Sequence, residues 1–161
     1  MKWDKWAGKR GEGYVVVQFG LLGLMALAPF VIRPSVPWPE PWHTVALAAG
    51  LVLLGVGLVL ALAGVWSLGD NITAVPRPKD DAHMVEHGAY RLVRHPIYSG
   101  IILGALGWGL FMHSGLTLVL VLLLFFLFDA KSCREEQWLA EKYENYGEYQ
   151  KRVRKLVPFV Y

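Results

Sequence analysis

The chain has 161 residues, enough for one domain, and 55% of them are apolar. The apolar residues lie in long runs and the mean hydropathy is +0.37, which excludes an ordinary soluble domain and indicates an integral membrane protein. The net charge of +3 is a weak argument for nucleic acid, and we expect none as a partner. The single cysteine, Cys133, excludes an intramolecular disulfide and a cysteine-based zinc site.

The first two apolar runs each predict a membrane-spanning helix. Residues 14–32 would reach about 28 Å as a helix, close to the ~30 Å of bilayer hydrocarbon. Residues 44–68 carry no charge and can cross with some tilt. The proline-rich stretch from Pro34 to Pro41 separates them and cannot continue a helix. No small-residue cleavage site follows the first run, so we expect no removable signal peptide.

The third apolar run is too long for one span. From Ile97 to Phe128 no residue is charged, and one helix of that length would measure about 48 Å. The run is interrupted by His113-Ser114-Gly115 near its middle. This pattern predicts a helical hairpin with spans at about 97–112 and 115–130, and therefore about four spans in total.

The distribution of basic residues predicts the orientation. All of the 16 lysines and arginines except Arg33 fall in the N-terminus, the middle segment 69–95 or the tail from Lys131 onward. Four spans place these three parts on one side, and the positive-inside rule makes that side the cytosol. We therefore predict an all-α, multi-pass membrane protein with both termini in the cytosol.

The tail carries a regular apolar and aromatic pattern. Residues at steps of three and four form one stripe, which comprises Leu139, Tyr143, Tyr146, Tyr149, Val153 and Leu156. Such a stripe with charges elsewhere predicts a C-terminal amphipathic helix on the cytosolic side. It would lie in the membrane interface or pack over the middle segment, and Gly147 would bend it.

The motif Arg94-His95-Pro96 lies directly before the third span. Proline suits the first turn of a helix and disfavours the helical region in the residue before it, so His95 should precede a helix that Pro96 begins. Free amides at that helix start favour an anionic group. A simpler interpretation is that Arg94 anchors the helix and Tyr98 belongs to an aromatic belt at the interface.

Other polar residues near the expected spans also allow two interpretations. Glu135 and Glu136 could form a solvated helix face or hold polar groups of a ligand, and Arg152 could attract anionic lipid. His83 and His87 have the spacing of metal ligands on a helix, but Gly88 follows at once and no third ligand is near. We therefore predict no metal site.

In combination these motifs resemble a known family. The stretches HMVEHGAYRLVRHPIYSGIILGALGWGLF and REEQWLAEKYENYGEYQKRVRKLVP, on either side of an apolar hairpin, resemble the isoprenylcysteine carboxyl methyltransferase family. The phospholipid methyltransferases are similar over the same region. The resemblance covers about residues 69–158, and its specificity lies in the order G-x-Y, R-H-P-x-Y-x-G, E-E and Y-x-x-Y-x-x-R-V.

The resemblance implies an integral membrane enzyme that uses S-adenosylmethionine and releases S-adenosylhomocysteine. It implies a cofactor site formed by segments 69–98 and 131–158. By position, the cofactor-binding residues would be Ala82, His83, Met84, Val85, Tyr90, His95, Pro96, Ile97, Tyr98 and Glu135.

The resemblance also implies residues at the reacting end. Arg94 and Arg152 match arginines that the family places there, and Lys131 stands where relatives can have arginine. Lysine cannot make the planar two-point contact of arginine, so its contact with substrate would differ. A carboxylate acceptor is already ionised and needs cations to orient it. A phosphoethanolamine acceptor must lose a proton, for which Glu136 could be the base.

We therefore expect a methyltransferase for a lipophilic or prenylated substrate, in contact with membrane lipid. The preferred reaction is carboxyl methylation of a prenylcysteine-type acceptor. Within the enzyme class, the alternative is N-methylation of a phospholipid ethanolamine or methylation of another small lipophilic acceptor. Outside it, the alternative is a non-catalytic membrane protein of the same fold.

Overall fold

The computed structural model describes residues 7–32, 38–158 and 160–161. Lys2, Lys5, Arg33 and residues 34–37 of the proline-rich stretch, which the predictions above use, lie outside the described residues.

The described residues form helices and no β-sheet, which confirms the all-α prediction. The helices are α1 (Glu12–Val31), α2 (Trp42–Leu68), α3 (Pro96–Phe111), α4 (Gly115–Lys142) and α5 (Tyr146–Arg152). Two short 3₁₀ turns, Gly69–Asn71 and Gly88–Arg91, lie in the polar middle segment between α2 and α3.

Three helices, α1, α2 and α4, are long and apolar enough to cross a membrane. Helix α3 is apolar but has only 16 residues, or about 24 Å, so it would reach across the hydrocarbon only with help from its flanking residues. A tight turn at residues 112–114 joins α3 and α4 into a hairpin, and the Ser114 hydroxyl caps α4 by accepting the Thr117 N–H.

The main departure from the expected spans is the end of α4. We expected it near residue 130, but the helix continues to Lys142 because no proline or glycine interrupts it after Gly115. Its 28 residues measure about 42 Å, which exceeds the hydrocarbon thickness. The last turns of α4 therefore carry Glu135 and Glu136 on the same rigid helix that crosses the membrane.

Helices α2 and α3 touch backbone to backbone. A Cβ atom on Gly57 would lie 2.6 Å from the Gly100 oxygen, and one on Gly107 would lie 2.6 Å from the Leu54 nitrogen. A Cβ on Gly50 would lie 2.6 Å from the Phe111 nitrogen. In a membrane, such close packing of small residues is a main source of helix association. The contact follows glycines seven residues apart on both helices.

The middle segment and the tail cover the same end of the helices. The Asn71 side-chain amide donates to the His83 carbonyl at 2.9 Å, and the Tyr143 hydroxyl donates to the Ala82 carbonyl at 2.6 Å. After α5 the tail is extended, and its Arg154 carbonyl accepts the Arg94 N–H at 2.8 Å. Backbone hydrogen bonds thus hold the Arg-His-Pro motif against the tail.

The tail helix is shorter than the stripe predicts. Helix α4 ends at Lys142, Tyr143 is extended, and only seven residues form α5 before Val153 turns extended again. Gly147 lies inside α5. The stripe nevertheless keeps a common role, because Tyr146 and Tyr149 are both buried against the middle segment.

We predict that Gly57→Val disrupts the contact between α2 and α3. Its side chain would overlap the α3 backbone, and overpacking of this kind costs about 1–3 kcal/mol. The matched control is Gly55→Val, two residues away on the same helix, where a Cβ meets no atom within 4 Å. Thermal unfolding in detergent should show a lower Tm for Gly57→Val alone; equal Tm values for the two variants would contradict the packing argument.

Candidate functional site

The site begins where the Arg-His-Pro motif meets the end of α4. His95 precedes α3 with a non-helical backbone, and Pro96 occupies the first helical turn, as the motif predicts. The motif therefore points His95 and Tyr98 toward α4, which carries the consecutive residues Glu135 and Glu136.

Arg94 and Glu136 form a buried two-point ion pair. The Arg94 Nε donates to Glu136 Oε1 at 2.7 Å and Nη2 donates to Oε2 at 3.1 Å. The Arg94 Nη1 also donates to the carbonyls of Gln150 and Val153. His95 Nε2 lies 3.0 Å from Glu136 Oε1, and the Gln150 amide donates to Oε2 at 2.9 Å. Both oxygens of Glu136 are thus occupied within the protein.

Glu135 has a different environment, formed by Tyr98 and His95. The Tyr98 hydroxyl donates to Glu135 Oε2 at 2.7 Å, and His95 Nδ1 lies 3.9 Å from the same oxygen. The Tyr98 ring stacks on His95, with centroids 5.3 Å apart, and on Phe128, with centroids 4.7 Å apart. These contacts fix the orientation of Tyr98 between Glu135 and Phe128 of α4.

A first cavity, which we name the loop cavity, lies between the middle segment and the tail. It contains about 640 Å³ of empty space, part of it open to solvent. Six of the predicted cofactor-binding residues line it: Ala82, His83, Met84, Val85, Tyr90 and Glu135. Arg94 lines it as well, and the stripe residues Leu139, Tyr143, Tyr146 and Tyr149 close the opposite side. No ligand role was predicted for those tyrosines from the sequence, although their shared stripe indicated that they form one surface.

A second cavity, which we name the helix cavity, lies between the ends of α1, α2, α3 and α4. It encloses about 900 Å³ of empty space, part of it open, and most of its wall is apolar. Three predicted cofactor-binding residues, His95, Ile97 and Tyr98, line this second cavity rather than the first. The two cavities share Leu68, Thr73, Tyr90 and Glu135, so they meet along one wall.

Lys131 is the cation of the helix cavity. The residue is 2% exposed. Its Nζ donates to Gln18 Oε1 at 2.7 Å and to the Ala74 carbonyl at 3.1 Å. The ammonium also faces the Tyr98 ring, 4.9 Å from its centroid. No carboxylate of the described residues forms an ion pair with it. Lysine is almost never fully buried without a counter-charge, so this cation is suited to receive an anion.

The remaining predicted residues lie outside both cavities. Pro96 is buried against α2, where a Cβ on Gly64 would lie 3.1 Å from its ring. Arg152 is on the surface, with its side chain 65% exposed and its guanidinium 2.6 Å from Glu86. Glu136 lines neither of the two cavities and is bound by Arg94. The structure thus does not bring Arg152 to the other predicted catalytic residues.

Burial raises the pKa of Tyr90, Tyr146 and Tyr149 above the usual tyrosine range, and the Glu135 charge adds to the effect at Tyr90. These hydroxyls therefore stay protonated at neutral pH. Tyr149 uses its proton to donate to the Tyr90 carbonyl at 2.6 Å. The tyrosines of the loop cavity thus offer aromatic faces and hydrogen-bond donors, and none of them is a base.

The two histidines with metal-ligand spacing, His83 and His87, do not lie on a helix. The backbone of His83 is held by the Asn71 side chain, and His87 directly precedes a 3₁₀ turn. Among the residues that the structure describes, no three His, Cys, Asp or Glu side chains are grouped as a metal site would require.

Comparison with known proteins adds the family. The family described as phospholipid methyltransferase matches residues 45–146. A probable protein-S-isoprenylcysteine O-methyltransferase of Oryza sativa subsp. indica is 31% identical over 115 residues, which are 69% of this chain and 60% of the relative. The protein-S-isoprenylcysteine O-methyltransferase of Xenopus laevis is 28% identical over 149 residues, which are 89% of this chain and 51% of the relative.

The chain thus spans between about half and three fifths of the length of these relatives. The family match contains α2, the hairpin, the middle segment and both glutamates, while α1 and the extended tail lie outside it. The similarity to isoprenylcysteine methyltransferases, which the motifs predicted, is confirmed. Because the family match covers more than half of the residues, the chain belongs to the phospholipid methyltransferase family.

Proposed function

We propose that this chain is a membrane methyltransferase that uses S-adenosylmethionine to methylate the carboxylate of a lipophilic, prenylcysteine-type acceptor. The observation that carries the proposal is the buried Lys131 ammonium, which forms no ion pair with a carboxylate of the described residues and lies at the polar end of an apolar cavity. That cavity shares part of its lining with the loop cavity.

The lining of the loop cavity suits the methyl donor by its chemistry. The Glu135 carboxylate can hold a cationic group, and Tyr90, Tyr143 and Tyr146 offer aromatic faces. S-adenosylmethionine would supply a methyl group on a positively charged sulfur. His95 and Tyr98 would act from the shared wall by holding Glu135 in place.

The helix cavity fits the acceptor. Val65, Ile97 and Ile101 supply apolar walls for a hydrocarbon chain, and Lys131 supplies a cation for a carboxylate. A carboxylate is ionised at neutral pH, so its methylation needs alignment with the methyl group but no base. The two cavities adjoin at Tyr90 and Glu135, so donor and acceptor would be aligned on either side of these residues.

The same geometry disfavours an ammonium acceptor, although the family description names phospholipids. An ethanolamine head would carry a positive charge toward Lys131, which repels it, although Glu135 on the same lining would attract it. Its methylation also needs a base, and the Glu136 predicted for that role already accepts hydrogen bonds from Arg94 and Gln150. We assign Arg94 and Glu136 to positioning of the site, and we assign Arg152 no contact with the acceptor.

We further propose that the loop cavity faces the cytosol. The middle segment and the tail, which carry most of the basic residues, cover one end of the helices together, as a common cytosolic side requires. A water-soluble cofactor would reach the loop cavity from that side, and the acceptor would reach the helix cavity from the membrane.

We predict that purified protein binds S-adenosylhomocysteine and that His95→Ala and Glu135→Ala raise its Kd at least about tenfold, equivalent to ~1.4 kcal/mol. Calorimetry in detergent measures this directly. The matched control is Glu141→Ala, an exposed glutamate on the same helix. If the wild type does not bind, or the two site variants bind like the control, the cofactor site is wrongly assigned.

A second prediction concerns the acceptor. With a radiolabelled methyl donor, S-farnesylcysteine derivatives should be labelled as methyl esters, which release label on treatment with base, because an ester hydrolyses and an N-methyl group does not. Phosphatidylethanolamine should gain no label. Base-stable label in the phospholipid would favour N-methylation instead, and no label in either would contradict a lipophilic substrate of these two classes.

A third prediction concerns Lys131. Lys131→Met removes the cation, so KM for the carboxylate acceptor should rise at least about tenfold, the cost of one charge-assisted hydrogen bond. Binding of S-adenosylhomocysteine should change little. Lys151→Met serves as the control because Lys151 is exposed and pairs with the exposed Glu148. An unchanged KM in Lys131→Met would remove the main support for a carboxylate acceptor.

A further inference from the structure

Gln18 is a buried polar side chain in the middle of an otherwise apolar helix. It lies on α1 between Val17 and Phe19, which are both exposed on the outer face, while Gln18 itself is 9% exposed. A polar group in a membrane helix is unfavourable unless it is hydrogen-bonded, and such residues commonly have a function. Helix α1 lies outside the family match, so the family motifs say nothing about this residue.

The partner of Gln18 is Lys131, whose ammonium donates to Gln18 Oε1 at 2.7 Å. Both side chains line the helix cavity. An ammonium has three protons, and here two of them go to neutral carbonyl oxygens, those of Gln18 and Ala74. The Tyr98 ring lies beneath the same group. Neutral acceptors orient the cation without cancelling its charge, while the Glu135 carboxylate, which lines the same cavity, attracts the ammonium without forming an ion pair with it.

We infer that Gln18 is a positioning residue that holds the Lys131 ammonium at the polar end of the helix cavity and so makes the cavity selective for anionic head groups. The inference rests on the proposed function for the identity of the acceptor and extends it to the choice between head-group charges. A glutamine is suited to this role because its oxygen accepts one proton of the ammonium while the net charge of the site stays positive.

A glutamate at the same position would act in the opposite way. It has nearly the same shape and would bind the ammonium through the same oxygen, but its charge would cancel that of Lys131. An incoming carboxylate would then meet an ion pair with no net charge, and the new carboxylate of that pair would repel it. The replacement Gln18→Glu therefore changes the charge of the cavity with little change in volume.

The test measures binding of two probes in one detergent by calorimetry. The probes are a farnesyl thioether that ends in a carboxylate and the same thioether ending in a primary amide. The wild type should bind the acid at least tenfold more tightly than the amide. Gln18→Glu should reduce that ratio to about one, and Gln18→Met, which removes the acceptor oxygen but adds no charge, should reduce it less.

Three controls separate positioning from a general structural effect. Gln137→Glu makes the same chemical change at an exposed residue of α4 whose partner is Arg134, and should keep the wild-type ratio. Each variant should bind S-adenosylhomocysteine within twofold of the wild type, which shows that the site is folded. In a Lys131→Met background, Gln18→Met should not reduce the ratio further, because the cation that Gln18 positions is absent.

The inference is overturned if the wild type shows no preference for the acid, if Gln18→Glu retains the wild-type ratio, or if Gln18→Met has the same effect without Lys131. Gln18→Met gives an independent answer if Gln18→Glu does not fold, since a wild-type ratio in that variant also rules out positioning. Failure of the proposed reaction is distinct, because it would show as a missing methyl ester while the preference for the acid probe persists.

Discussion

The buried pair of Arg94 and Glu136 is the interaction on which the rest of the site depends. One guanidinium binds both oxygens of the carboxylate and two carbonyls of the tail, so it joins the start of α3, the end of α4 and α5 at one point. A buried charge without such partners would be costly, and each group here is satisfied. The pair thereby fixes His95 on one side and Glu135 on the other.

Charge compensation also divides the site into two parts. Around Glu136 every charge has a partner, which suits a structural element. Lys131, about one helical turn away on α4, binds only neutral acceptors among the described residues. An unpaired cation in an apolar cavity favours an anionic ligand, whereas the paired one next to it does not. The difference explains why two neighbouring basic side chains, both expected at the reacting end, have different roles in our proposal.

Part of this site was predictable from local rules. The geometry of Pro96 after His95 follows from the steric limits of proline, and the length of the charge-free runs required helices and a hairpin. From the resemblance, Glu135, Tyr90 and Ala82–Val85 were predicted to belong to one site, and in the structure they line one cavity. Local rules did not reveal Gln18, because a lone glutamine in an apolar run carries no information about which helix it faces. Nor did they separate Glu135 from Glu136, which are adjacent in sequence and differ only in their partners.

The sequence by itself determined the secondary structure class, the placement of the apolar helices and the family, because these depend on composition, periodicity and ordered motifs along the chain. Only the tertiary structure decided which charges are compensated. Arg152 pairs with Glu86 on the surface, Arg94 pairs with Glu136 inside, and Lys131 meets Gln18 from a helix far away in sequence. The reason is physical: the cost of a buried charge depends on the few atoms within hydrogen-bonding distance, and packing of distant segments brings those atoms together.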